Sequence, residues 1–116
     1  MNDTSDQRRA QRKRATAPIP VVDVFKNEQV IGQLGNLSTS GAMLLVSGAP
    51  VHGGVYQVAF TLPDAQHREH RVEIGIQEQW HEPAASAGHF WSGYRIVSAG
   101  EDDVRAIDEW IGPPAD

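Results

Sequence analysis

Residues 55–62, "VYQVAFTL", alternate cleanly: Tyr56, Val58, Phe60 and Leu62 fall on one side, and Val55, Gln57, Ala59 and Thr61 on the other. A side-chain period of two is that of a β-strand with one buried face. Pro63 and Asp64 then turn the chain, and "HRVEIGIQEQW" alternates again. Val72, Ile74 and Ile76 read as inward, and Arg71, Glu73 and Gln77 as mostly outward.

The same grammar runs through most of the chain. "IPVVDVFKNEQVIGQLGNLS" predicts a hairpin, with a β-branched strand from about Ile19 to Phe25, a turn at Lys26, Asn27 and Glu28, and a second strand from Gln29 to Leu34. "NLSTSG" is a cluster of turn formers, "AMLLVS" a third, apolar strand, and "GAPVHGG" another turn. "EPAASAGHF" reads as a loop and "WSGYRIV" as a last short strand. The end differs in period. In "SAGEDDVRAIDEWI", Val104, Ile107 and Ile111 recur at helical spacing with Trp110 beside them. Ser98 and Glu101 have capping-box spacing, acids crowd the first turn, and Gly112 and Pro113 stop the helix. A chain of 116 residues suggests one domain. About six short antiparallel strands and one closing helix predict an all-β small barrel or sandwich, capped by the amphipathic helix.

Charge is distributed unevenly. Residues 1–14 hold five basic side chains, Arg8, Arg9, Arg12, Lys13 and Arg14, against Asp3 and Asp6, whereas residues 15–116 hold the other five against thirteen acids. The organisation this predicts is a flexible basic arm over residues 1–18 and a barrel with its helix over 19–116. With no cysteine, disulfides, cysteine-based metal sites and a cysteine nucleophile are excluded. No apolar run approaches the ~20 residues of a membrane span, and the basic N-terminus lacks the apolar core of a secretory signal, so a cytoplasmic protein without membrane contact is expected.

Signals of catalysis are poor. His67 and His70 are three apart, which on a strand puts them on opposite faces, and no further set of zinc ligands accompanies them. Ser38 and Ser40 have no neighbouring histidine in sequence and no strand-to-helix elbow. The glycines do not form a phosphate loop opening a helix. The expectation is that the chain is not an enzyme and carries neither metal nor cofactor.

Two features remain. Arg8 and Arg12 stand four apart as R-x-x-x-R, and Asn36-Leu37-Ser38-Thr39-Ser40-Gly41 follows as N-x-S-x-x-G. This ordered pair resembles the PilZ family, whose pattern is R-x-x-x-R before the first strand and D/N-x-S-x-x-G at the end of the second. The resemblance extends from about Arg8 to Ile111, and "SGYRIVSAGEDD" looks like the family's last strand running into its helix. It implies a six-stranded antiparallel β-barrel with a C-terminal helix, and the bacterial second messenger cyclic di-GMP as ligand. The ligand-binding residues it implies are Arg8, Arg9, Arg12, Asn36, Ser38 and Gly41. Arg14, and Trp80 at the end of the fifth strand, are further candidates, while Trp91 and Trp110 are assigned to packing.

The residue types suit such a ligand. An arginine fork holds a phosphate bidentately, reads guanine O6 and N7, or stacks on the base. The guanine Watson–Crick edge presents N–H donors, for which the Asn36 oxygen is an acceptor; Ser38 either donates or accepts beside it. Gly41 permits a sharp turn or a close approach. The resemblance further implies an arm that clamps on the dinucleotide and an effector protein that reads the change, with motility, pili or exopolysaccharide as outputs. Two other readings are a non-specific nucleic-acid-binding barrel and a PilZ-like adaptor that binds no nucleotide. The acidic body and scattered aromatics argue against the first, and the intact motifs against the second.

Overall fold

The computed structural model describes residues 11–112. Among these residues, seven strands and one helix follow in order: β1 Lys13–Arg14, β2 Pro20–Asp23, β3 Gln29–Leu37, β4 Gly41–Ser47, β5 Val55–Pro63, β6 Glu69–Pro83, β7 His89–Ala99 and α1 Glu101–Ile111. Strands β2, β5, β6, β7, β4 and β3 pair antiparallel in that sequence, and the β2–β3 pairing closes the ring. The result is a six-stranded antiparallel barrel, as the alternation predicts, plus one extra strand and the C-terminal helix. Closure leaves the ring no free edge.

The extra strand is short but informative. β1 pairs with the far end of β3, Lys13 opposite Leu37 and Arg14 opposite Asn36, on the edge that β2 occupies further along. Ala15 N–H donates to the Gly35 carbonyl (3.0 Å) and Leu34 N–H to that of Ile19 (2.9 Å), so residues 13–19 run beside β3 as a prolongation of β2. β3 itself reaches three residues beyond its expected end. A bulge between Leu34 and Asn36 puts Gly35 out of register, and Asn36 and Leu37 then re-pair with Met43 and Ala42. Asn36 therefore lies in a strand rather than a turn.

The barrel interior follows the alternation. Val58, Phe60, Leu62, Val72, Ile74 and Ile76 are all buried, joined by Val21, Leu34, Leu37, Leu44 and Tyr94. The α1 helix closes one end through Ile107 and Trp110, the latter 8% exposed, whereas Val104 is 39% exposed, so the seated face is narrower than the periodicity suggests. The helix also starts later than Ser98 predicts. Ser98 is engaged in β7 opposite Gly75, Gly100 is the N-cap, and the Asp103 carboxylate accepts the Gly100 N–H at 3.3 Å. The other Asp103 oxygen accepts from Glu73 N–H of β6 (3.1 Å), tying the helix start to the barrel. β6 and β7 are longer than expected and narrow the loop between them to residues 84–88.

Candidate functional site

The two sequence motifs meet. Arg12 Nη1 donates to Asn36 Oδ1 at 2.9 Å across 24 residues. The antiparallel register of β1 explains the contact. Arg14 is the Cα partner of Asn36, and a strand period of two places Arg12 and Arg14 on one face and Lys13 on the other. Arg12 and Arg14 are exposed while Lys13 is half-buried. Because a guanidinium only donates, the Asn36 atom facing it is the carbonyl oxygen, and the amide nitrogen points to Met43 Sδ at 3.9 Å.

Arg12 and Asn36 form one side of an open cleft of about 530 Å³. Ser40, Gly41, Ala42 and Met43 continue that side, and Gln79, Trp80, Gly93, Tyr94 and Arg95 of β6 and β7 form the other. On a chain of net charge -5, the described lining residues include two arginines and no carboxylate. Arg95 is exposed and donates to Gln77 Oε1 at 3.2 Å. Trp80 is 43% exposed, so part of its ring is open to the cleft. A cleft with two cations, an amide and an indole offers charge to an anion and a surface to a planar ring.

The remaining predicted residues take distinct places. Ser38 is fully buried and works inside the turn: its Oγ accepts the N–H groups of Gly41 (3.0 Å) and Ser40 (3.1 Å). It shapes the loop that carries Ser40 and Gly41 and does not line the cleft. Gly41 has a close-approach role: a Cβ there would lie 2.6 Å from the Tyr94 carbonyl oxygen, so a side chain would push β4 off β7. Arg14 sits on the Arg12 face of β1 but is not a lining residue of the cleft. Lys13 turns away: its Nζ donates to the Trp110 carbonyl at 2.8 Å and stands 4.5 Å from the ring centroid of Trp110. A cation at the helix C-terminus and over an aromatic face is stabilising on both counts. Arg8 and Arg9 lie outside the described residues.

Behind Trp80 stands a group that the sequence reading passed over. Glu78 is 1% exposed. Its carboxylate accepts Gly53 N–H at 3.0 Å and meets His81 Nδ1 at 2.8 Å and His52 Nδ1 at 3.2 Å. Burial pushes this carboxyl up, but the hydrogen bonds from His81 and Gly53 and the charges of His81 and His52 outweigh it, and the group is held below its ordinary value. The signal was present: Glu78 continues the inward parity of Val72, Ile74 and Ile76. A bulge between Glu78 and Trp80 then breaks the parity, leaving Gln79 and Trp80 both exposed. Arg95 and Gly93 were missed because nothing in their own neighbourhood marks them; only the pairing of β7 with β4 and β6 brings them to the cleft.

At the opposite end, Asp64 organises the β5–β6 turn. It accepts from Gln66 and Arg68 N–H, both at 2.8 Å, and contacts His70 Nε2 at 2.9 Å. The His70 contact is the main reason its carboxyl is lowered to about 2, with these backbone donors and Arg68 adding to it against some desolvation. His70 is thus a turn partner, and among the described residues no cluster of metal-ligand type is present. No helix among the described residues is long and apolar enough to cross a membrane.

A family model described as "PilZ domain" matches residues 6–111. No curated protein matches significantly. Among solved structures, the chain is similar to the Bacillus subtilis inhibitor of motility (MotI/DgrA), with a TM-score of 0.71 at 14% identity. The match covers 89% of this chain and 49% of that one, so the chain spans about half the length of the protein it resembles.

Proposed function

The chain belongs to the PilZ domain family, and from that membership we propose that it is a cyclic di-GMP receptor that signals to a partner protein. PilZ domains are non-catalytic receptors, so the chain is not an enzyme. The observation that carries the ligand assignment is the meeting of Arg12 and Asn36 at the rim of a cleft lined by arginines, where a dianionic dinucleotide finds charge and a base acceptor together.

The mechanism follows from donor geometry. A guanidinium presents two in-plane N–H groups, and so does the guanine edge at N1 and N2. Arg12 therefore occupies at Asn36 Oδ1 the place that a guanine takes. On binding, the base replaces the guanidinium at Asn36, and Arg12 swings to a phosphate or stacks on the base. Arg8, Arg9 and Arg14 add charge to the same arm, Trp80 and Arg95 bound the opposite side, and Ser38 and Gly41 keep the loop in shape. Residues 1–18 act as the clamp and 19–116 as the barrel that carries it. The rearranged arm is the signal that a partner reads. Likeness to an inhibitor of motility makes motility the first output to test, ahead of pili and exopolysaccharide. A second messenger as ligand places the receptor in the cytoplasm.

Titration calorimetry with cyclic di-GMP tests the assignment. Saturable binding is expected, with affinity falling about a hundredfold in Arg12→Ala, as for a desolvated arginine anchor. Equal binding by wild type and Arg12→Ala would overturn the clamp. A gel shift with random DNA is expected to show no complex at physiological salt.

A further inference from the structure

We propose that Gly93 is a positioning residue for ligand binding: it is the bare backbone seat that holds the Trp80 indole down across β7, so that the ring's exposed surface becomes the stacking floor of the cleft. The inference rests on the cyclic di-GMP reading for the identity of the stacked base.

The geometry is specific. Trp80 and Gly93 are direct Cα partners between β6 and β7. A Cβ built on Gly93 would lie 2.1 Å from Trp80 Nε1, 2.3 Å from Cε2 and 2.8 Å from Cζ2. The indole thus fills the volume that any side chain at position 93 would need, and three of its atoms must move for even a methyl group. Gly93 has no left-handed backbone angle to account for it; the requirement for glycine here is the close approach of a ring. Covering a strand glycine with a cross-strand aromatic is a known way to stabilise a sheet, and that alone would explain a buried indole. Trp80 is 43% exposed, and both partners line the cleft that holds Arg12, Asn36 and Arg95. The Glu78–Trp80 bulge is what brings the ring out of the barrel onto this seat. Base–aromatic stacking needs a ring held in place before the base arrives, since ordering it afterwards weakens binding.

The test is a double-mutant cycle read by cyclic di-GMP titration, with thermal melts as the control for folding. Gly93→Ala and Trp80→Leu each lower affinity about tenfold, the loss of one base stack, while Trp80→Phe stays within a few-fold of wild type. In the Trp80→Leu background Gly93→Ala costs almost nothing further, because Gly93 acts through the indole. Without ligand, the Gly93 α-proton resonances are displaced by the ring and return to the ordinary glycine range in Trp80→Leu. Additive losses in the cycle, or Trp80→Leu at wild-type affinity, overturn the proposal. Should Gly93→Ala fail to fold, the contrast of Trp80→Phe with Trp80→Leu and the α-proton shifts decide it. A wild-type chain that takes up no cyclic di-GMP overturns the ligand reading itself, whereas uptake that ignores Trp80→Leu overturns only the stacking floor.

Discussion

The two sides of the cleft are held by opposite means. On one side, an exposed arginine reaches an asparagine through a single hydrogen bond of 2.9 Å. On the other, an indole is pressed onto bare backbone, and the residue two before it is a buried carboxylate with three partners from two segments. An exposed polar contact exchanges one partner for another at little net cost, whereas removing a buried one strands polar groups away from water. On the proposed reading, the Arg12 side is therefore the one to yield to a ligand and report it, and the Trp80 side is the fixed surface against which the ligand would bind.

Mutations should separate the two sides. Arg12→Ala is expected to move affinity alone: about a hundredfold weaker cyclic di-GMP binding, with the thermal midpoint unchanged. Glu78→Ala should do the reverse in the ligand-free protein. It orphans Gly53 N–H and removes the shared partner of His52 and His81, and unfolding in urea should show a loss of about 2 kcal/mol. If Arg12→Ala destabilises the fold as much as Glu78→Ala does, the division into an exchangeable and a fixed side is wrong. Lys13→Ala tests the division within β1. One residue from Arg12 but facing α1, it should cost about 1 kcal/mol of stability through the lost contacts to Trp110, and change affinity much less than Arg12→Ala.

Much of the fixed architecture was legible because the barrel repeats one rule. Val58, Phe60, Leu62, Val72, Ile74 and Ile76 announce their burial by parity, and all six are buried. Arg12 and Asn36 were legible for another reason: each belongs to a spaced motif, and the motifs implied each other. On the site's other side the sequence named Trp80 but not Gly93, Arg95 or the Glu78 behind it, and on both sides bulges break parity where it matters: Leu34–Asn36 carries Asn36 into a strand, and Glu78–Trp80 turns the indole outward. A bulge depends on what the partner strand offers, and no local pattern in "QEQW" or "WSGYRI" contains that. Lys13 shows the converse. In sequence it is one more charge in a basic run, and only the alternation of a two-residue strand sends it to the helix while Arg12 goes to the cleft.

Acid tests the fixed side by removing the charge on Glu78. The Glu78 carboxyl is held below its ordinary value of 4.5 in the folded state. A depressed acid contributes stability that is fully present above the unfolded value and is lost as pH falls through the folded one. Urea unfolding of wild type and Glu78→Gln, compared from pH 5 down to pH 3, should therefore show a wild-type advantage that shrinks as pH falls below 4.5. Protonated glutamate and glutamine present similar groups to Gly53 and the two histidines, so the two proteins converge. Arg12→Ala should run parallel to wild type throughout. Asp64, lowered to about 2, contributes over a more acid window, from its ordinary 3.8 downward, and Asp64→Asn marks that part of the curve. A wild-type advantage over Glu78→Gln that persists undiminished at pH 3 would mean that the buried carboxylate's charge is not what anchors the fixed side.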